Sequence, residues 1–323
     1  MRAIEVTAHG GPSVLTVTDR ERPDPGENEV RIEVERSGVN FADIEKRRGK
    51  YPDSPSPPYI PGIEVAGRID ATGANVDREI GEPVAAILDG GGYAEYAVTS
   101  VDALIDIPDG LDITDAAALP VQFVTAHNAL FEWGDLDPGE RVLVHAAAGG
   151  VGTAAVQLAH HAGATVFGTA STDEKLSLAS DLGVTHSIKY TDEDVAERID
   201  DITDGEGVDL VLDGVGGDAF YAGLDALADC GRIVTYGMAS GDIATVSMPR
   251  LFFENKSVIG YHLGHARRHA TDRVRAGRHR LRERIKENDI EPVLGAEFSL
   301  VNTETAHERL ESRETAGKVL LAP

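Results

Sequence analysis

Residues 141–152 read Arg-Val-Leu-Val-His-Ala-Ala-Ala-Gly-Gly-Val-Gly. The apolar run at 142–144 has the length and branching of a buried strand. It breaks into small residues and glycines, and a helical pattern resumes through Ala154, Ala155, Leu158 and Ala159. A glycine cluster carries meaning in this strand, turn and helix context. Glycines let backbone amides approach a pyrophosphate, and the helix N-terminus offers unpaired N–H groups and a favourable dipole to anionic oxygens. Ala147, Gly149, Gly150, Val151 and Gly152 are therefore the candidate phosphate-binding residues. Their spacing departs from G-x-G-x-x-G because alanine stands at the first glycine. A tight turn without a ligand is the alternative reading.

Downstream, the chain alternates strand and helix. Strands are expected at 142–144, 165–168, 187–189, 208–212, 232–236 and 257–261. Helices lie between them, such as 173–182 closed by Gly183 and 219–229 closed by Gly231. This order predicts a doubly wound parallel sheet of the α/β class. Upstream, residues 1–120 read as β-rich, with period-two alternation at 30–34 and frequent glycine and proline turns, which suggests a rolled, barrel-like sheet. A short helix is expected at 40–46, and two more at 115–120, stopped by Pro120, and at 123–133. The last sixty residues carry an arginine-rich helix and short strands ending in Gly317-Lys318-Val319-Leu320-Leu321, a tail expected to fold back on the N-terminal domain. The expected domains are 1–120 with 264–323, and 121–263.

Composition excludes several classes. A formal charge of −25, with seven lysines against twenty-three arginines, disfavours nucleic acid and anionic membranes as partners. Multimolar salt would screen such a charge, so a cytoplasmic protein of an extreme halophile is the expectation, against a merely acidic mesophilic protein. No apolar run approaches the roughly 18 residues of a membrane helix, and no secretory leader pattern opens the sequence. Cys230 is the lone cysteine, which leaves no internal disulfide and no thiolate cage for zinc. Adjacent His160 and His161 cannot face one ligand from a helix, His262/His265/His269 occur at spacings that helices produce by chance, and the basic run 267–286 reads as an amphipathic helix through Val274, Leu281 and Ile285.

A site preferring NAD places an acid at the end of the second strand, about 20 residues on, for the ribose 2′-hydroxyl. Here that strand ends at Ser171 without one. Ser171, Lys175 and Tyr190 could surround a 2′-phosphate, which points to NADP. Asp173 and Glu174 weigh against it, and Ser171-Thr172-Asp173-Glu174 also reads as a helix cap.

The motifs in combination resemble the zinc-free quinone oxidoreductase, zeta-crystallin-like, group of the medium-chain dehydrogenase/reductase superfamily, over essentially the whole length. They are Gly38-Val39-Asn40-Phe41-Ala42-Asp43, Arg48-Gly49-Lys50-Tyr51, Pro61-Gly62-Ile63-Glu64-Val65-Ala66-Gly67, the 146–152 turn and the 311–320 segment. The stretches 234–239 and 255–264 are similar to the group's vesicle amine transport protein branch. The resemblance implies a GroES-like β-barrel catalytic domain beside a Rossmann domain, and a homodimer, placed at a sheet edge near 233–246. It also implies that Asn40, Asp43 and Tyr51 line the substrate cleft and that Thr125, Tyr236, Gly237 and Arg313 contact the cofactor.

Zinc-dependent relatives carry a cysteine where Asn40 stands and Gly-His-Glu where this chain has Gly62-Ile63-Glu64. Without a Lewis acid, simple alcohols are poor substrates. Quinones and enones need only donors aimed at the oxygen where charge develops, and Asn40 and Tyr51 are the candidates. Their alternatives are a helix cap for Asn40 and a packed loop aromatic for Tyr51. The expected function is a zinc-independent, NADPH-dependent reductase of quinones or α,β-unsaturated carbonyls. The rivals are an NADP-binding protein with a structural or membrane-associated role, or an enoyl-thioester reductase.

Overall fold

The computed structural model describes residues 1–107, 110–288 and 290–323, with the Asn288 side chain left out. The chain divides into two compact units, 1–121 with 292–323, and 122–291.

The first unit is built on a seven-stranded sheet. Its longest strand, Glu29–Val39, pairs antiparallel with Glu64–Thr72, Tyr96–Ser100 and Lys318–Ala322. Alternation along Glu29–Val39 puts Val30, Ile32 and Val34 into a core with Val65, Ile69 and Val84. The C-terminal strand Lys318–Ala322 lies between Glu29–Val39 and the parallel strand Leu294–Ser299. A register break in the pairing of Glu29–Val39 with Glu64–Thr72 falls between Val34 and Arg36. The sheet meets helix Phe41–Arg47 immediately after Val39.

The second unit is a six-stranded, wholly parallel sheet. Its spatial order is His186–Lys189, Thr165–Ala170, Arg141–Val144, Val208–Asp213, Leu227–Thr235, Ser257–Gly260. This is the order 3-2-1-4-5-6 of a doubly wound dinucleotide fold, with the strand reversal between Arg141–Val144 and Val208–Asp213. Buried Leu143, Phe167, Val211 and Ile233 join Leu224 and Phe220 of helix Gly217–Ala226 in its core.

Four expectations need correction. Residues 264–291, grouped above with the first domain, pack with the second unit. Val274, Leu281 and Ile285 of helix Thr271–Asn288 are buried, and Arg280 pairs with Glu132 on the segment Asn128–Glu132. Residues 227–229 are strand rather than helix, because helix Gly217–Ala226 ends directly in strand Leu227–Thr235. That strand is interior and pairs on both sides, so on this side of the sheet the free edge is Ser257–Gly260 and not 233–246. Pro120 also stops no helix. It sits in the wide helical turn Leu119–Phe123, which runs on through Val124–His127 to Glu132.

Candidate active site

In the first unit, Asn40 begins helix Phe41–Arg47, and its backbone N–H donates to Asp43 Oδ2 at 3.0 Å. The Asn40 amide does other work. Its Oδ1 accepts from Lys318 Nζ at 2.8 Å, and its Nδ2 donates to Glu64 Oε1 at 2.8 Å. Lys318 also pairs directly with Glu64, whose Oε2 accepts from Val121 N at 2.7 Å. Glu64 and Lys318 are buried, and Asn40 is half-buried. Gly38 makes room for the carboxylate, since a Cβ there would stand 2.6 Å from Glu64 Cδ. Sequence reasoning assigned no role to Glu64 or Lys318. The available signal was a lysine, Lys318, heading the apolar run 319–321.

Asp43 is 1 % exposed and terminates a directed chain. Arg47 cannot accept, so its Nη1 donates to His307 Nδ1 at 3.0 Å. That fixes the proton on Nε2, which donates to Tyr93 Oη at 3.2 Å, and Tyr93 then donates to Asp43 Oδ2 at 3.1 Å. Arg47 is held in turn by Glu311. Burial, the largest influence, pushes the Asp43 carboxyl up to about 6 against the opposing pull of Asn40 N–H, Lys46 and Lys318. Among the described residues, Oδ1 of Asp43 has no hydrogen-bond partner. Tyr51, on the turn after the helix, lies under Lys46 Nζ at 5.5 Å from the ring centre. Burial, Asp53 and Asp43 raise its hydroxyl to about 12, so it is a hydrogen-bond donor across the working range. Arg313 is exposed at a left-handed position, φ 58°, after helix Thr303–Glu311.

In the second unit the 146–152 turn sits at the strand reversal. Ala147 N donates to Thr169 O at 2.9 Å, and Gly149 N to Ala146 O at 2.8 Å. Ala147 replaces a glycine at no steric cost, because Gly168 on the neighbouring strand leaves room beside its methyl. A Cβ at Gly168 would approach the Ala147 methyl to 3.1 Å. Helix Gly150–His161 begins at Gly149, and no side chain caps its first turn. Gly149, Gly150 and Val151 are half-exposed, and with Gly149 N committed to Ala146 O, the N–H groups of Gly150 and Val151 are the ones open to an anion. Gly152 is tight instead, with a built Cβ only 2.8 Å from Ala147 C and O.

Ser171 and Tyr190 close neighbouring strands: Tyr190 N donates to Ala170 O at 3.3 Å and Thr191 Oγ1 to Ser171 O at 3.5 Å. Thr172, not Ser171, caps helix Asp173–Asp181, accepting from Lys175 N at 3.3 Å. Lys189, missed in the sequence, pairs with Asp173 and Asp192 at 3.2 Å each, which offsets the charge of Asp173. Thr125 is buried in helix Val124–His127. Tyr236 and Gly237 follow strand Leu227–Thr235, and burial and Asp213 push the Tyr236 hydroxyl upward. His262 caps its own helix by accepting from His265 N at 3.0 Å. Among the described residues no three histidine, cysteine or acidic groups are placed to hold a metal ion.

Residues 26–109 match the alcohol dehydrogenase GroES-like domain, and 150–276 match the zinc-binding dehydrogenase model. The quinone oxidoreductase of Pseudomonas aeruginosa is 35% identical over 329 residues, covering 100% of this chain and 99% of that one. The chain belongs to the medium-chain dehydrogenase/reductase superfamily. The synaptic vesicle membrane protein VAT-1 homolog of Danio rerio is 34% identical, covering 99% of this chain and 69% of that protein. The Escherichia coli quinone oxidoreductase complexed with NADPH superposes with a TM-score of 0.93 at 32% identity, with 100% of both chains covered. Within the superfamily this chain therefore groups with quinone oxidoreductases and their VAT-1 relatives. No helix among its described residues is long and apolar enough to cross a membrane.

Proposed function

We propose that this medium-chain dehydrogenase/reductase is an NADPH-dependent, metal-free reductase of quinones or α,β-unsaturated carbonyls. The observation that carries the cofactor reading is the uncapped helix start at Gly149, set at the reversal of the parallel sheet. The N–H groups of 150–152 would hold the pyrophosphate, Ser171, Lys175 and Tyr190 the 2′-phosphate, and Thr125, Tyr236, Gly237 and Arg313 further parts of the nucleotide. The reduced nicotinamide supplies a hydride when bound.

The donor set supports the metal-free reading. Where zinc-dependent relatives carry a cysteine and Gly-His-Glu, this chain has Asn40 and Gly62-Ile63-Glu64, and the Asn40 amide and Glu64 carboxylate are satisfied by one another and by the Lys318 ammonium. A cation could enter only by displacing Lys318 from Glu64. That set does not fit zinc. Asn40 and Tyr51 are then the donors for the oxygen on which negative charge develops, and Asp43 orders the helix start that carries Asn40.

Purified protein should oxidise NADPH with a panel of quinones and enones, and a chelator should leave the rate unchanged. Loss on chelation with recovery by zinc would refute the metal-free reading, and tight NADPH binding with no turnover would favour a structural role. In the same assay Lys175→Glu should lose preference for NADPH over NADH. An unchanged preference would remove Lys175 from the phosphate site.

A homodimer through the free edge Ser257–Gly260 is also proposed, supported by exposed Met248, Phe252 and Phe253 nearby. The charge of −25 supports work in a salt-rich cytoplasm. Light scattering and thermal melts from dilute buffer to multimolar salt test both. A monomer throughout, or full stability without salt, would sink the respective idea.

A further inference from the structure

The Glu64–Lys318 pair is costly to bury unless it serves something beyond itself. Its geometry fixes the Asn40 amide without ambiguity. Lysine only donates and a carboxylate only accepts, so Oδ1 must face Lys318 and Nδ2 must face Glu64. One N–H of Nδ2 is committed to Glu64. The nearest acceptor for the other is Gly38 O at 3.4 Å, a long contact that a better acceptor would displace. An ammonium donating to an amide oxygen draws electrons from the nitrogen, and in a buried setting such linked bonds strengthen one another.

We propose that Lys318 is a positioning residue for the reaction. Anchored on Glu64, its ammonium locks the Asn40 amide and polarises it, so that the remaining N–H is presented to the acceptor's oxygen. A positive charge thereby acts on the substrate at one remove, through an amide. The inference rests on the reading that Asn40 faces the acceptor.

The test separates the two. Lys318→Met alone would strand the Glu64 charge, so the working variant is the double Lys318→Met/Glu64→Gln, a neutral pair of similar volume. With the full chain and NADPH, its kcat should fall by about 10–100-fold, the lower range for loss of one preorganised donor. KM for the acceptor and the Kd for NADPH, read by its fluorescence, should stay within about twofold. The loss should grow as the acceptor becomes less electron-poor, a trend that a purely structural role would not produce. If the double variant does not fold, Lys318→Gln replaces it. Gln keeps a donor toward Asn40 Oδ1 without the charge, and about a tenfold loss is expected. A folded variant with wild-type kcat, or a loss independent of the acceptor, overturns the proposal. Asn40→Ala is the companion. If it is slow while the Lys318 variants are not, only this inference falls. If Asn40→Ala is fully active, the reading of Asn40 falls and takes the inference with it.

Discussion

Gly152→Val should weaken NADPH binding by about 100-fold or more, close to 2.7 kcal/mol. A side chain at 152 has nowhere to go. Its Cβ would stand 2.8 Å from both Ala147 C and O, and it would also press on Ala146 O. These are backbone atoms of the turn itself, tied to the neighbouring strand through Ala147 N and Thr169 O. They cannot rotate away as a flexible side chain would. Relief must come from lifting the helix start off the strand, which moves the open N–H groups that would hold the pyrophosphate. Gly149→Ala is the internal control, because a Cβ there meets only Ala146 O, at 3.2 Å. Its effect should be several-fold smaller. Titration of both proteins with NADPH checks the pair. Wild-type affinity in Gly152→Val would mean that the cofactor does not use this turn.

The second large effect is in acid stability. His307 is fully buried between Arg47 and Tyr93, and burial, with Arg47 and then Arg48, pushes its pKa down to about 3. An unfolded histidine takes a proton near 6.5. The native state therefore binds fewer protons between these values, so stability is fully present above pH 6.5 and is lost as pH falls toward 3. The full span is worth roughly 5 kcal/mol. Asp43, on the same chain of hydrogen bonds, acts in the opposite sense. Its folded pKa of about 6 lies above the unfolded carboxylate value, so its contribution is present below about pH 4 and is lost as pH rises through 6. That offsets about 3 kcal/mol of the histidine effect over the shared window. His307→Gln keeps an acceptor for Arg47 and a donor for Tyr93 but cannot titrate. Urea unfolding from pH 4 to 7.5 should show a shallower fall toward acid than in the wild type. Equal slopes would show that His307 does not carry the acid sensitivity. His127, in the second unit, is lowered to about 4 mainly by burial and leaves a residual slope of the same sign.

The parallel sheet was legible because its signals are local. Each strand is a short apolar run, and each helix announces itself by spacing and a closing glycine. The first errors came where a local signal had a second meaning. Gly231 looked like a helix stop, yet a strand already runs through it, since Leu227 pairs in parallel with Val208. Pro120 looked like a breaker, yet its missing N–H costs little at the start of a helical segment. The assignment of 264–291 failed for a different reason. Its apolar stripe was read correctly, but periodicity does not say which surface a stripe will cover.

The candidate site divides in the same way. The 146–152 turn proposed to hold the pyrophosphate is contiguous in sequence, so its residues could be named from spacing alone. Asn40, Asp43 and Tyr51 were read through the family's pattern, and their placement in one region of the first unit rests on a single helix and the turn after it. Glu64, Tyr93, His307 and Lys318 were not assigned, because each gains meaning only from a partner far away in sequence. The Lys318 to Asn40 bond joins residues 278 positions apart, and that from Tyr93 to His307 spans 214. No spacing rule reaches that far.

That distance bears on how the protein is made. The strand Lys318–Ala322 fills the place between Glu29–Val39 and Leu294–Ser299. Until it emerges from the ribosome, the end of Glu29–Val39 at Ser37–Val39 lacks this partner, Leu294–Ser299 has no strand to join it to the sheet, and Glu64 lacks the Lys318 ammonium. The whole second unit is synthesised in that interval and has every strand of its sheet in hand. The parallel-sheet unit can thus be finished while the buried network of Asn40, Glu64 and Lys318 is still unassembled. Joining Leu294–Ser299 to Glu29–Val39 and completing the hydrogen bonds of the Asn40 amide become one late event, carried out by five residues.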